Sequence, residues 1–449
     1  MRTMLLLSAF ALAATTLGAQ ERPSLTLEDA IAIARERNPE YLQSRASIRA
    51  RGLDVRSMWG AFLPSLSTSV QWNASSRTQL TGTDDFGQTV SLPEPITFRS
   101  SSASQSISST LTLFDGLQNV NNLRAAREDV VAADAAADDQ VLNIELQVSQ
   151  QFYSALLAER LVEVEEQLLS SARERLDANQ RMFRVAAVTQ VDVLGAEGDV
   201  ARQEQAVEQQ RAEARKARLQ VLQILGVLGE IEDFDLVGDF PVIFDPAALD
   251  ADTLVSRALD ANPVIRQQNA AALAADRRAS AAKGSWLPRA SFNGSFSRGL
   301  GQRDYGAFFN LNPKDDRGWG FGLSLQWEIF NGFGRSQRIG QANVAHDQAM
   351  EALRAAELQV EQNVRAASID LETAYESLRL QERLTEISRQ RLEMAQEQFR
   401  TGSTQMPFTT LQTIIDAAAN QERALVQARS TFAVNLVTLE RRVGAPIRP

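Results

Sequence analysis

The side chains that could do chemistry are few. Catalysis needs a positioned nucleophile, acid, base or metal, and this 449-residue chain has no Cys and a single His. His346 stands in the helical run IGQANVAHDQAMEAL, with no second His and no nucleophile pattern beside it, and reads as a helix-surface residue. Asp138-Asp139 and Glu165-Glu166 are adjacent acids. Neighbours on a helix diverge by about 100°, so both pairs read as solvated faces rather than as paired catalytic acids. GWGFG, from Gly318 to Gly322, mimics a phosphate loop, but no Lys follows it and it lies inside a strand pattern. Asn73-Ala-Ser and Asn293-Gly-Ser match the glycosylation pattern at chance frequency. No catalytic residue, cofactor or metal is expected, and the residues support no enzymatic class.

The glycines of GWGFG belong instead to an alternating run. Trp319, Phe321, Leu323, Leu325, Trp327 and Ile329 share one parity, whereas Gly320, Gly322, Ser324, Gln326 and Glu328 share the other. Period two over this length exceeds the usual ~5 to 6 residues of a soluble strand and matches the ~9 to 11 of a strand crossing a bilayer. Three other segments alternate in the same way. Leu66, Thr68, Val70 and Trp72 alternate with Ser65, Ser67, Ser69 and Gln71; Ile107, Leu111 and Leu113 with Ser106, Ser108, Thr110 and Thr112; Phe292 and Phe296 with Ser291, Asn293, Ser295 and Ser297. The predicted strands are about 63–73, 105–115, 289–298 and 318–330, and the polar stretches Thr78 to Ser104 and Gly299 to Gly318 read as loops. All five tryptophans, Trp59, Trp72, Trp286, Trp319 and Trp327, lie in or beside these segments. Interfacial belts place Trp in this way. An ordinary β-sandwich with a Trp core is the alternative, but four strands with one wholly polar face bury too little.

Composition narrows the setting. The first twenty residues, MRTMLLLSAFALAATTLGAQ, have a basic start, an apolar run and small residues near Gly18 and Ala19, the form of a secretory signal peptide over 1–20. The formal net charge is -10, a poor basis for binding nucleic acid. With no Cys there is neither a disulfide nor a lipid-bearing N-terminal Cys. Past the leader no apolar run reaches ~18 residues, so any crossing of a membrane is made by strands.

The remaining chain repeats itself. Asn38-Pro39 recurs as Asn262-Pro263 and Leu63-Pro64 as Leu287-Pro288, both displaced by 224 residues. Phe114 and Gly116 recur as Phe330 and Gly332, and Phe183-Arg184 as Phe399-Arg400, displaced by 216. Leu117 to Arg184 contains no Gly or Pro over 68 residues, and Gln341 to Thr401 none over 61. In the first of these runs Leu142, Leu146, Ser149, Tyr153, Leu157, Leu161, Val164 and Leu168 step by three or four, with Ile144, Val148 and Leu156 as a second line. Two apolar lines imply neighbours on both sides, as for a stave in a cylinder. Each half therefore predicts one long antiparallel helical hairpin, 117–225 and 333–443, with the tips level. The halves are a first repeat at 21–230 and a second at 247–449, joined by a linker at 231–246. Four strands cannot close a barrel, which needs about eight. The chain must lend its strands to an oligomer, and three copies give twelve.

TLEDAIAIARERNPE (Thr26 to Glu40), FLPSLS (Phe62 to Ser67), LFDG (Leu113 to Gly116), the matching WLP and IFNG, and TQVDVLGAE (Thr189 to Glu197) resemble the TolC family of outer-membrane efflux proteins. The resemblance covers essentially the whole mature chain, including the duplication. It implies an α+β membrane protein: a trimeric twelve-stranded outer-membrane β-barrel, four strands per chain, continued by a long α-helical periplasmic tunnel. It also implies an exit duct for drug efflux or type I secretion, working with an inner-membrane pump and a periplasmic adaptor. A periplasmic coiled-coil adaptor or structural protein is the alternative function. The protein is expected in the outer membrane, contacting its lipid, with a large periplasmic portion, exported by a cleaved signal and not lipidated. The entrance residues are Asp192, Arg184 and Arg400; the adaptor-docking tips carry Ala187, Thr189, Gly402 and Ser403; the membrane belt is Trp72, Trp286, Trp319 and Trp327. Family members often carry an Asp pair after the second tip, where this chain has MPFTTLQT with Phe408 and Leu411, leaving Asp192 as the candidate for an entrance ring, with capping of the returning helix as its alternative role.

Overall fold

The computed structural model describes residues 24–83, 85–186, 188–229, 234–302, 317–400 and 408–447. The signal segment 1–20 lies outside the described residues. In chain order the elements are β1 (Ser24–Leu25), α1 (Leu27–Arg37), α2 (Pro39–Gly60), β2 (Ser65–Thr83), β3 (Thr89–Phe114), α3 (Gln118–Arg184), α4 (Gln190–Leu225), β4 (Asp235–Leu236), α5 (Ala251–Ala261), α6 (Pro263–Lys283), β5 (Arg289–Gln302), β6 (Arg317–Gln326), α7 (Gly334–Arg400) and α8 (Phe408–Val443). They fall into two compact units, one made of 43–139 with 259–361 and the other of the remaining residues.

The duplication is kept element by element. α3 and α7 each have 67 residues, and α4 and α8 each have 36. The recurring Asn-Pro is a helix start. Asn38 Oδ1 accepts from the Glu40 N–H at 2.9 Å, Asn262 Oδ1 accepts from the Val264 N–H at 2.9 Å, and the Pro that follows needs no partner for its nitrogen. The recurring Asp/Asn-Gly is the elbow from strand to long helix. Gly116 and Leu117 have φ of 73° and 66°, Gly332 and Phe333 have 63° and 69°, so two left-handed residues turn the chain. Asp115 then accepts from the Asn119 N–H at 2.8 Å and Asn331 from the Arg335 N–H at 3.1 Å.

In the unit holding the sheet, the strand order is β2-β3-β5-β6, all neighbours antiparallel. The strands are longer than their alternating segments. β2 runs to Thr83 and β3 starts at Thr89, so most of the stretch expected as a loop between 78 and 104 is a two-stranded ribbon. Pro93 and Pro95 sit where the register jumps from Gln79↔Ile96 to Thr81↔Ser91, in a bulge that asks no ladder hydrogen bond of them. Conversely β6 ends at Gln326, short of the expected 330.

In the other unit, Ile144 and Val148 of the second apolar line of α3 pack, with Ala155, against Ala30 and Ala34 of α1 and Val221, Leu222 and Leu225 of α4. Leu156 of that line instead joins Tyr153 of the first, with Phe152, on Ala433 and Val437 of α8. The helix thus has partners on two sides within the chain, but the predicted second line is divided between them. The segment read as a linker is fastened there too: β4 pairs in parallel with β1, Phe234 is buried beside α1, and Phe240 stacks on Tyr153 at 6.1 Å. No helix among the described residues is long and apolar enough to cross a membrane.

Candidate channel wall and entrance

The register sorts the sheet's two faces. Ser67, Ser108, Ser295 and Gly320 form one row across all four strands, and Ser69, Ser106, Ser297 and Gly318 the next. Hydroxyls bridge the strands within these rows and beyond: Ser67 to Ser108 at 2.7 Å, Ser69 to Ser106 at 2.8 Å and Ser291 to Ser324 at 2.7 Å. The opposite face carries Thr68, Ile107, Phe296 and Trp319 in one row, with Phe292 opposite Leu323 and stacked on Phe321 at 5.9 Å. This apolar face is uncovered by the chain itself: Leu66, Trp319 and Leu325 are 77, 77 and 72% exposed. One wall is thus wettable by hydroxyls, and the other can be desolvated only by lipid or another apolar surface.

Trp72 and Trp319 lie on that face, and Trp286 and Trp327 lie at its other end. All four are at least half exposed. Trp327 Nε1 donates to the Trp286 carbonyl at 3.1 Å, and the Arg335 guanidinium sits 4.4 Å above the Trp286 ring. The eight residue-to-residue steps from Trp319 to Trp327 span roughly 27 Å along an extended chain, close to the ~25 Å height of an outer-membrane apolar band.

At the hairpin tip, in the other unit, Thr189 and Asp192 form a capping box that opens α4. The Thr189 hydroxyl and N–H donate to Asp192 Oδ2 at 2.7 and 2.9 Å, and the Asp192 N–H donates to Thr189 Oγ1 at 3.3 Å. The hydroxyl first, and the backbone N–H second, hold the Asp192 carboxyl below its usual range. Within the chain Asp192 therefore caps its helix. Arg184 ends α3 in an exposed position and Arg400 ends α7, while Ala187, Gly402, Ser403 and the Arg400 side chain lie outside the described residues. The tip also exposes Phe183, Val185, Val191 and Leu194, which the sequence reading passed over. Their signal was available, as apolar residues flanking a break with no periodic partner. Leu411 does not reach an entrance: it is buried with Ala395, Ile414 and Ile415.

Glu165 corrects the reading of the adjacent acids. It is only 6% exposed, whereas Glu166 is exposed and pairs with Arg211 at 2.7 Å. Burial works to raise the Glu165 pKa, but bonds from Arg423 of α8, at 2.5 and 2.9 Å, and from Gln203 of α4, at 2.5 Å, outweigh it and leave the group lowered. Arg175, Asp199, Arg202 and Asp416 line a polar cavity beside it of about 340 Å³. Burial lowers the Arg175 pKa against the pull of Asp199 and Asp416. His346 lies on α7 with Nδ1 3.2 Å from Asp347. The described residues include no cluster of His, Cys, Asp or Glu able to hold a metal.

A sheet with a hydroxyl-bearing face and an uncovered apolar face, continuous in the chain with long Ala-rich helical hairpins, is the architecture of a membrane-embedded wall. The family model described as outer membrane efflux protein matches residues 30–227 and 254–445, and the chain belongs to that family. Its fold is that of a membrane protein from Pseudomonas aeruginosa (TM-score 0.74, 19% identity, 93% of each chain covered). It is shared with the Campylobacter jejuni CmeC outer membrane channel (0.72, 14%, 98% of this chain and 94% of that one). The open-state Neisseria gonorrhoeae MtrE outer membrane channel is likewise similar (0.69, 18%, 93% and 89%). No curated protein matches by sequence. The protein is therefore an outer membrane efflux protein.

Proposed function

We propose that three copies close a twelve-stranded barrel in the outer membrane, continued into the periplasm by their helical hairpins. The assembly is a passive exit duct for an inner-membrane pump and a periplasmic adaptor, in efflux or type I secretion. The observation that carries this reading is the sheet, with hydroxyls in register on one face and an exposed apolar face bounded by tryptophans on the other. Trp72, Trp286, Trp319 and Trp327 sit at the lipid interfaces. The tips around Ala187, Thr189, Gly402 and Ser403, with Val185 and Val191, dock the adaptor. Around a threefold axis three copies of Asp192 face one another at the entrance, with Arg184 and Arg400 as the cations available to them.

The test is reconstitution. The chain extracted in detergent should have the mass of a trimer and conduct ions in a planar bilayer. Leu323→Arg, halfway between Trp319 and Trp327, should cost ~2 to 4 kcal/mol, while Ser324→Arg should assemble and narrow the pore. Asp192→Ala should raise resting conductance and weaken block by multivalent cations from the periplasmic side. A water-soluble monomer without conductance would refute the duct, and unchanged conductance in Asp192→Ala would remove the entrance ring alone.

A further inference from the structure

The offsets of the duplication transfer registers between strands. Ser65 faces Thr110 across β2 and β3; displaced by 224 and 216 these positions become Arg289 and Gln326, which face each other across β5 and β6. The same displacement can be applied to the junction between the repeats, β3 with β5, which the chain makes once. There Thr110 faces Asn293, Ser108 faces Ser295 and Ile107 faces Phe296. The corresponding junction of β6 with β2 is not made inside the chain: these strands are the two outer edges of the sheet, and four strands are too few to close on themselves. An edge strand presents a row of unpaired backbone groups, which favours pairing with another strand.

A pair of glycines marks the same junction. Gly116 and Gly284 press backbone on backbone: a Cβ on either would collide with the carbonyl oxygen of the other. Their counterparts in the duplication are Gly332 and Gly60, and a Cβ on either would meet nothing within 4 Å. Gly332 has a φ of 63° and needs glycine for its turn, but Gly60 ends α2 with neither a positive φ nor a neighbour to require it.

We propose that both vacant halves are filled by a second copy of this chain, in a register that the intrachain junction dictates. This rests on the trimeric reading above and deepens it. β6 of one copy lies antiparallel to β2 of the next, with Ser324 facing Gln71, Gln326 facing Ser69 and Leu323 facing Trp72. Gly332 of the first packs on Gly60 of the second as Gly116 packs on Gly284. The assignment is self-consistent: polar-face positions meet polar-face positions and apolar meet apolar, whereas a one-residue slip would set Gly322 of the polar face against Trp72 of the apolar one.

A chain without Cys makes the test clean. Ser324→Cys combined with Gln71→Cys, oxidised in outer membranes and run without reductant, should convert the monomer band to covalent dimer and trimer. Directly opposed Cβ atoms lie within about 5.5 Å, near disulfide reach. Ser324→Cys with Ser67→Cys, about 13 Å out of register, should crosslink at least tenfold less. Preferential crosslinking of the second pair, or a native-mass trimer that neither pair crosslinks, overturns the register while leaving the trimeric duct standing. A chain that is monomeric in detergent overturns both. Separately, Gly60→Leu should reduce trimer yield about tenfold and Gly52→Leu should leave it unchanged. Both sites face open space in the single chain, so equal yields overturn the glycine contact.

Discussion

The first hairpin, α3 with α4, and the second, α7 with α8, share three cross-links at positions related by the duplication. Glu166 pairs with Arg211 at 2.7 Å, as Glu382 does with Arg429 at 3.5 Å. Arg173 pairs with Glu204 at 2.7 Å, as Arg389 does with Glu422 at 2.5 Å. Gln203 donates to Glu165, as Gln381 donates to Gln421 at 2.7 Å. Only the last pair has diverged in kind, from carboxylate to amide at 165 and 381. The reason is local. Glu165 receives both arms of Arg423 from the second hairpin, and a buried carboxylate is tolerable only with such donors. Gln381 has its amide on Gln421 and on the Gln421 carbonyl within its own hairpin, and a neutral group suffices. The pairs that carry charge in both hairpins are exposed, and the buried position is where the two differ.

Breaking that difference should have the largest effect. Arg423→Ala strands the Glu165 carboxylate and should cost about 3 kcal/mol of thermal stability in detergent, whereas Gln421→Ala in the all-neutral site should cost only about 1 kcal/mol. Equal losses would mean that Glu165 is not held by Arg423. Next, Glu165→Gln makes the first hairpin like the second and should cost about 1 to 2 kcal/mol. It should also change the acid response. Because the folded Glu165 pKa is lowered, the pair's contribution is full above the unfolded carboxylate range and is lost as pH falls through the folded value. Melting curves of Glu165→Gln should be flatter than those of the unaltered protein over that acidic interval.

A smaller effect should follow at the tip. Thr189→Ala removes the hydroxyl of the α4 cap and should cost about 1 kcal/mol, with Thr189→Ser restoring most of it. If Ser fails to rescue, the hydroxyl is not what the cap supplies. The smallest effects belong to the exposed pairs. Arg173→Ala and Arg389→Ala should each cost about 0.2 to 1 kcal/mol, equal within error and diminished by salt. A clearly larger loss at either one would show that the hairpins are less alike there than their geometry implies.

The duplication, the four strand faces and the two equal hairpins were legible in the sequence, because each rests on a local rule. Apolar parity reports which face of a strand loses water, freedom from Gly and Pro permits a long helix, and Asn-Pro or Asp-Gly encodes a start or an elbow in a few adjacent residues. The tertiary structure alone decided the extension of β2 and β3 into a ribbon, the β1-β4 pairing and the burial of Glu165. Ser75 to Thr83 is mostly polar on both faces, so its strand is held by backbone hydrogen bonds that leave no periodic trace in side-chain type. Glu165 and Glu166 are identical as letters and adjacent on one helix, yet one is buried and the other exposed. What separates them is a guanidinium 258 residues away in sequence, and only the packed helices bring it within hydrogen-bonding distance.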